Sequence, residues 1–479
     1  MDELALLDAT AQAELVRRGD MTAADLVDAA ITRIERLNPQ LNAVVIPTFD
    51  KGRAQARARD LPHGPFHGVP FLLKDLGAHL AGDPLHAGMR FLRELGWRER
   101  ADTYLAAKLR AAGFVFLGKT NTPELGLLPT TEPESYGPCR NPWDTSRSTG
   151  GSSGGAAAAV AAGMVPVAHA SDGGGSIRIP ASQCGLVGLK PSRGRTSLGP
   201  DLGERWGGLA IEHVVTRSVR DTAAILDAVA GEMPGDPYVA PTPLRPFTEE
   251  VGAAVGRLRV GLMLAAPGGM AVHPECIAAA ESTAHLLESL GHVVEPSHPN
   301  ALADSELLRA IVTLIACSTA RALESWGEKT GRAIGAADVE RLTWAVGGLG
   351  RGISATAYLR ALEYTHTQAR RIAGWWVQGF DLLLTPTVAE PAPLLGQFVS
   401  PPEDPLAAFL RAAPFGTFTS PFNATGQPAI SLPLHWTPDG LPIGSQLVAA
   451  YGREDILIRV AAQLEAARPW AQRRPTVHG

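Results

Sequence analysis

Between residues 22 and 39 the apolar side chains Leu26, Ala30, Ile34 and Leu37 recur on one side of a helical repeat. They predict an amphipathic helix, and Thr22 with Asp25 predicts a capping box at its start. The pattern then changes. Val69–Leu73 is a short, wholly apolar run of the kind a buried strand needs, and it ends at Lys74. Residues 101–112 read as a helix stopped by Gly113, followed by a strand at Phe114–Gly118. A helix over 154–163 and a strand over Val165–Ala170 come next, then a helix in "RSVRDTAAILDAVAG" closed by Gly231 and a strand in "RLRVGLML". Residues 275–290 and 304–328 are again helical in period. "FDLLLTPT", "AISLPLHW" and "GSQLVAA" predict strands, and "REDILIRVAAQLEAA" a closing helix.

Helices and short apolar strands alternate to the end of the chain. That predicts an α/β fold whose sheet is covered by helices on both faces, built as a single large domain over residues 1–479. The segments 234–246 and 386–405 are rich in proline but short, which suits surface loops better than linkers. Residues 297–370 are poor in strands and predict a helical elaboration on the core.

Composition narrows the function classes. Hydrophobic residues make up 45% and charged residues 19%, a globular balance, and the net charge of −5 offers no footprint for nucleic acid or an anionic membrane. No run approaches the ~18 apolar residues of a membrane span. The acidic start "MDELALLDAT" is unlike an export signal. Cys139, Cys184, Cys276 and Cys317 are scattered without metal-ligand spacing, so a reducing, cytoplasmic setting with no metal and no cofactor is expected. The chain uses six lysines against 37 arginines. A lysine in an apolar run therefore stands out, because lysine can give up its proton and arginine cannot.

The candidate chemistry lies in "SRSTGGSSGGAAAAVAAGMVPVAHASDGGGSIRIP", residues 146–180, where two glycine-rich loops each hold a serine. A phosphate cradle fails, since neither loop is followed by the lysine of a P-loop. Arg178-Ile179-Pro180 breaks the helix that a dinucleotide site needs. Gly150-Gly151-Ser152-Ser153-Gly154 matches a nucleophile elbow in letters, but "RNPWDTSRST" is a poor strand before it. In the second loop Gly173, Gly174, Gly175 and Ser176 can turn successive backbone N–H groups toward one point, as an oxyanion hole requires. No histidine has a setting that marks it as the base for either serine. Lys74 can serve if burial lowers its pKa; its alternatives are pairing with Asp75 or reaching out to water.

Taken together, "GVPFLLKDL", "GGSSGG" and "SDGGGSIRIPA", with a serine 24 residues after Ser152, resemble the amidase signature family. "GKTNTPE", "RNPWD", "FNATGQPAISLP" and "GLPIGSQLVAA" also resemble family segments, so the likeness runs from about residue 10 to 470. The resemblance implies a mixed sheet and hydrolysis of an amide C–N bond through a serine acyl-enzyme. It implies Ser176 as nucleophile, Ser152 as the bridging serine after a cis peptide bond, and Lys74 as base. The N–H groups of residues 173–176 would hold the oxyanion, and Ser153, Asp172 and Arg178 would support the loops. No cofactor is implied, and the partner is a small-molecule amide, with a homodimer left open.

Two departures matter. "SDGGGS" has Gly173 where many relatives carry a threonine, which affects pocket shape. Ile179 follows the "SIR" triplet where the glutamine-dependent, tRNA-modifying amidotransferase subunits carry glutamine, which weakens that alternative. "DATAQAELVRRG", "FHGVPFLLKDL", "AAYGRED" and "VAAQLEAARPW" resemble members that open the cyclic dimer of 6-aminohexanoate, which implies an aliphatic linear or cyclic amide as substrate. Leu125, Leu127 and Leu128 are candidates for an apolar acyl pocket or for ordinary core. Cys317 and Trp344–Leu349 lie in the segment expected to govern substrate choice.

Overall fold

A computed structural model describes residues 3–479. Eleven strands form one sheet: β1 (Val44–Pro47), β2 (Pro70–Lys74), β3 (Val115–Thr120), β6 (Val167–Asp172), β7 (Val187–Lys190), β8 (Ile211–Thr216), β9 (Arg259–Leu262), β10 (Val293–Pro296), β11 (Leu382–Pro386), β12 (Ala429–Trp436) and β13 (Pro442–Ala449). Two more, β4 (Arg140–Asn141) and β5 (Asp144–Ser148), make a separate ribbon. The order across the sheet is β1-β3-β2-β6-β8-β7-β12-β13-β11-β9-β10. The sheet is mixed: β2 runs parallel to β3 and β6, while β8 pairs antiparallel with both β6 and β7.

Alternation along β2 explains the two covered faces. Leu72 packs with the helices Ala23–Leu41 and Gly154–Ala161, whereas Phe71 and Leu73 point to the other side, against Tyr104–Ala111 and Val219–Val229. Thr22 and Asp25 close the expected capping box at the start of the first of these helices. The helix Gly154–Ala161 is buried along its whole length, and its composition, GGAAAAVA, allows it. A Cβ on Gly155 would lie 2.4 Å from the Asn121 backbone nitrogen, so only glycine lets this helix sit so near the sheet. Residues 305–373 form three helices, Ser305–Thr330, Arg341–Arg351 and Ala355–Ala373, on the outer part of the molecule.

Several predicted boundaries shift. The strand expected at Val165–Ala170 runs from Val167 to Asp172, because Pro166 has no N–H for the ladder. The strand expected at Val69–Leu73 includes Lys74, and the one at Phe114–Gly118 continues to Thr120. Two objections made from sequence are overturned. A short helix, Arg178–Cys184, does open after the second glycine loop; Pro180 is tolerated in its first turn, where N–H groups have no partner within the helix. A strand, β5, does precede the first loop, but it belongs to the small ribbon and not to the main sheet. Among the described residues no helix is long and apolar enough to cross a membrane.

Candidate active site

Parallel β2 and β6 end at the same edge of the sheet, and their last residues are Lys74 and Asp172. Crevices at the carboxyl ends of parallel strands are the usual place for a ligand site in such sheets. Both glycine loops meet there. The first descends from β5 to the helix Gly154–Ala161; Thr131 Oγ1 donates to the Gly150 carbonyl at 2.9 Å, and the Gly151–Ser152 peptide bond is cis. The second continues from Asp172 into the helix Arg178–Cys184.

Lys74 is fully buried, and its Nζ contacts three hydroxyls: Ser152 Oγ at 2.7 Å, Ser171 Oγ at 2.9 Å and Ser153 Oγ at 3.0 Å. Asp75 is not its partner, since that carboxylate accepts the backbone N–H groups of His86 at 2.8 Å and Gly88 at 3.2 Å. Loss of hydration pushes the amine down to about 7; Glu212 pulls the other way, Arg205 adds to the lowering, and Asp172 opposes it. The positive end of the helix that begins at Gly154 lies beside this amine, which also disfavours an ammonium.

Ser153 is locked to the neighbouring strand. The Ser171 N–H donates to its Oγ at 3.2 Å, and its own hydroxyl donates to the Ser171 carbonyl at 3.2 Å. With that proton committed, Ser153 can only accept from Lys74.

Asp172 organises the second loop. Its carboxylate accepts the N–H groups of Gly175 at 2.7 Å and Ile177 at 3.1 Å, and Arg178 grips it through Nε at 2.9 Å and Nη2 at 3.0 Å. Burial alone would raise this carboxyl, but the Arg178 guanidinium holds it well below the usual carboxylate range. Arg178 also donates to Asn423 Oδ1 at 2.7 Å and Gln446 Oε1 at 2.8 Å, while Asn423 Nδ2 returns to Asp172 Oδ1 at 2.8 Å. Gly175 has φ +133°, and a Cβ there would lie 2.4 Å from Thr419 Oγ1, so this position admits only glycine.

This geometry corrects the expected oxyanion set. The Gly175 N–H is already spent on Asp172 and is not available to a ligand. Among the described residues the N–H groups of Gly173, Gly174 and Ser176 make no hydrogen bond. Ser176 is partly exposed, and its hydroxyl bonds neither Ser152 nor any other described residue. The fold thus brings Lys74, Ser152 and Ser153 into contact and leaves Ser176 nearby on the loop held by Asp172, with its hydroxyl free.

A cavity of about 840 Å³ adjoins the site. Leu76, Leu125 and Trp206 are among its apolar lining, and Glu212, Cys317 and Tyr358 also face it. The link to the serines passes through Gly126, where a Cβ would lie 2.7 Å from Leu76 and 3.2 Å from Ser152 Oγ. Of the three leucines proposed for an acyl pocket only Leu125 lines this cavity. Leu127 shares with Leu125 the cluster around Met89 and Phe91 but does not reach the cavity, and Leu128 packs on another side with Leu342 and Val346. Cys317 faces the cavity, whereas Trp344–Leu349 stop one residue short of its wall, which takes Gly350 and Arg351.

Sequence reasoning passed over Ser171, His169, Glu212, Thr419, Asn423 and Gln446. Asn423 and Gln446 sit in "FNATGQPAISLP" and "GLPIGSQLVAA", quoted above only for their likeness to family segments. Their role depends on contacts across more than 200 residues, and nothing local announces them.

A lysine joined to serines and a glycine loop presenting free N–H groups, at the edge of a mixed sheet, is an arrangement for acyl transfer. Residues 25–458 match the family model described as Amidase. The chain belongs to the amidase family, in its amidase signature class, and is a hydrolase of amide C–N bonds. Over 476 residues it is 47% identical to the 6-aminohexanoate-cyclic-dimer hydrolase of Paenarthrobacter ureafaciens, with 98% of this chain and 96% of that one covered. A solved structure of 6-aminohexanoate cyclic dimer hydrolase complexed with substrate superposes with a TM-score of 0.95 at 45% identity, covering 100% of both chains. A bacterial aryl acylamidase of the amidase signature family superposes with a TM-score of 0.89 at 29% identity, covering 99% of this chain and 98% of that one.

Proposed function

We propose that this protein hydrolyses an aliphatic amide, linear or cyclic, through an acyl-enzyme on Ser176, with Ser152 as proton relay and Lys74 as base. The single observation that carries this reading is the state of Lys74: buried, without a carboxylate partner within hydrogen-bond reach among the described residues, and bonded to three serine hydroxyls. A neutral amine has two N–H donors and one lone pair. Ser153 is an acceptor only and Ser171 takes the second N–H, so the lone pair is left for the Ser152 hydroxyl.

In the reaction, Ser152 donates its proton to Lys74 and takes the proton of Ser176 as that oxygen attacks the amide carbonyl. The Ser152–Ser176 contact is completed with substrate bound; catalytic hydrogen bonds of free enzymes are often long and tighten in the complex. The N–H groups of Gly173, Gly174 and Ser176 receive the developing oxyanion, each such donor being worth about 3 kcal/mol of barrier. The relay then runs backwards and protonates the leaving nitrogen. Water enters by the same route, cleaves the ester and restores Ser176.

The substrate class rests on likeness and on the cavity. The 47% identical relative is named for the cyclic dimer of 6-aminohexanoate, and the cavity lining includes Leu76, Leu125 and Trp206, which suits a methylene chain. Ile179 packs against Phe415 and Ile443, so the position where the amidotransferase subunits carry glutamine is an apolar contact here. Four unpaired cysteines support a cytoplasmic setting. The continuous sheet supports reading residues 1–479 as one domain with its helical elaboration at 297–370. The deciding experiment is turnover of cyclic aliphatic, linear aliphatic, aryl and glutamine amides by wild type and Ser176→Ala. Aliphatic amides are expected to react, with no turnover in the variant. Glutamine as the only substrate, or a fully active variant, would overturn the proposal.

A further inference from the structure

Next to the serine cluster lies a second set of buried groups that the reaction above does not use. The Lys74 backbone N–H donates to His169 Nδ1 at 3.3 Å, so the neutral imidazole carries its proton on Nε2. That nitrogen is 3.3 Å from Glu212 Oε2. Glu212 stands directly opposite Ser171 in the β6–β8 ladder, and directly paired residues present their side chains on one face. Ser171 in turn touches the Lys74 amine, so Glu212 is tied to the Lys74 backbone through His169 and stands in the ladder opposite a hydroxyl partner of the Lys74 amine.

Burial keeps His169 below its usual value, hence neutral, although Glu212 pulls it up. Burial would raise Glu212, but the contact with His169, with Arg205 and Lys74 beyond it, brings the carboxyl below its usual range, so it is ionised. Its nearest full cation is Arg205 Nη1 at 3.9 Å, on a side chain 28% exposed. The charged groups acting on the Lys74 amine are therefore Glu212 from β8, Asp172 at the end of β6, and Arg205 from the loop before β8; Asp172 is bound by Arg178.

From this juxtaposition we infer that Glu212, through His169 and Ser171, is a positioning residue for Lys74, and that its charge, set against that of Arg205, fixes the pH at which the amine becomes a base. This rests on the reading of Lys74 as the base. A carboxylate near an amine favours the charged form, and a guanidinium opposes it. Removing the two charges separately must move the same titration in opposite directions, which loosened packing would not do.

The test uses Glu212→Gln, which keeps an acceptor for His169 Nε2, and Arg205→Gln at a partly exposed site. The readouts, from pH 5 to 9, are kcat/KM for an aliphatic amide and the rate of inactivation by a fluorophosphonate, which reports the nucleophile without substrate. The acid limb is expected to move down by at least about half a pH unit in Glu212→Gln and up by a similar amount in Arg205→Gln. A wild-type limb that stays in place in both variants, or moves the same way in both, overturns the inference and leaves the lysine base standing. A wild-type rate that is flat with pH overturns both. Should Glu212→Gln fail to fold, the upward shift in Arg205→Gln decides alone.

Discussion

Gly173 lies directly beneath the indole of Trp206: a Cβ built on the glycine would sit 2.7 Å and 2.8 Å from two carbons of the ring. The missing side chain at this position of the glycine loop is thus the space that Trp206 occupies, and Trp206 lines the cavity. Gly173→Ala is expected to displace the indole and reshape the cavity wall that it forms. KM for aliphatic amides should rise about tenfold or more while fluorophosphonate labelling of Ser176 persists, because alanine keeps the backbone N–H of residue 173 and the displacement falls on the wall. Steady-state kinetics beside active-site titration measures both.

Alanine at Ser176, Ser152 or Lys74 is expected to lower kcat by at least about 10³-fold with little change in KM, since groups that act as a unit fail together. The double variant Ser152→Ala/Lys74→Ala should be no worse than the more damaging single change. Single-turnover rates on one good amide substrate test this. Additive losses would show that the lysine and the bridging serine act separately.

Activity should fall on the acid side with an apparent pKa near 7, following the lowered value of the Lys74 amine. The sign is fixed by the chemistry, because the ammonium has no lone pair for the Ser152 proton. The same lowering means that the native chain binds fewer protons than the unfolded chain between about 7 and 10.5, so this residue's contribution to stability improves as pH rises through that window. Lys74→Arg should be inactive at every pH, since arginine does not deprotonate. A pH profile of kcat/KM from 5 to 9 checks the first statement and urea unfolding at pH 7 and 9.5 the second.

Asp172→Asn should destabilise the fold by about 3–5 kcal/mol at pH 7, because it strands the fully buried Arg178 guanidinium. The carboxyl is held well below its usual range, so the stability it gives is fully present above the unfolded value of ~3.9 and is lost as pH falls through the folded one. Denaturant midpoints for the two proteins should therefore converge in acid. The variant should also lose activity, since the carboxylate fixes the Gly175 and Ile177 N–H groups on either side of Ser176.

What could be read from the sequence is what is local. Lys74 is legible as an amine closing an apolar run in a chain that otherwise uses arginine, and Thr22 with Asp25 gives the helix start to the residue. β12, Ala429–Trp436, matches its prediction at both ends, since apolar and polar positions are bounded by clear turns. β7 and β8 escape notice because they are brief and carry lysine, glutamate or histidine among their apolar residues. The lock on the second loop is invisible for a different reason: Asn423 meets Arg178 only after the chain has laid down five more strands of the main sheet, and Gln446 after six. The commitment of the Gly175 N–H to Asp172 likewise depends on how the loop curls, and three consecutive glycines look alike in sequence.

The proposed reacting groups and part of the cavity wall come from different parts of the chain. Lys74 closes β2, and Ser152 and Ser176 lie on the two glycine loops beside it, while Cys317, Arg351 and Tyr358 belong to the helices between residues 305 and 373. Selection can therefore rework one without disturbing the other. A lineage with this architecture is free to exchange its diet of amides by drift in the outer helices, and laboratory evolution toward new polymers should begin there.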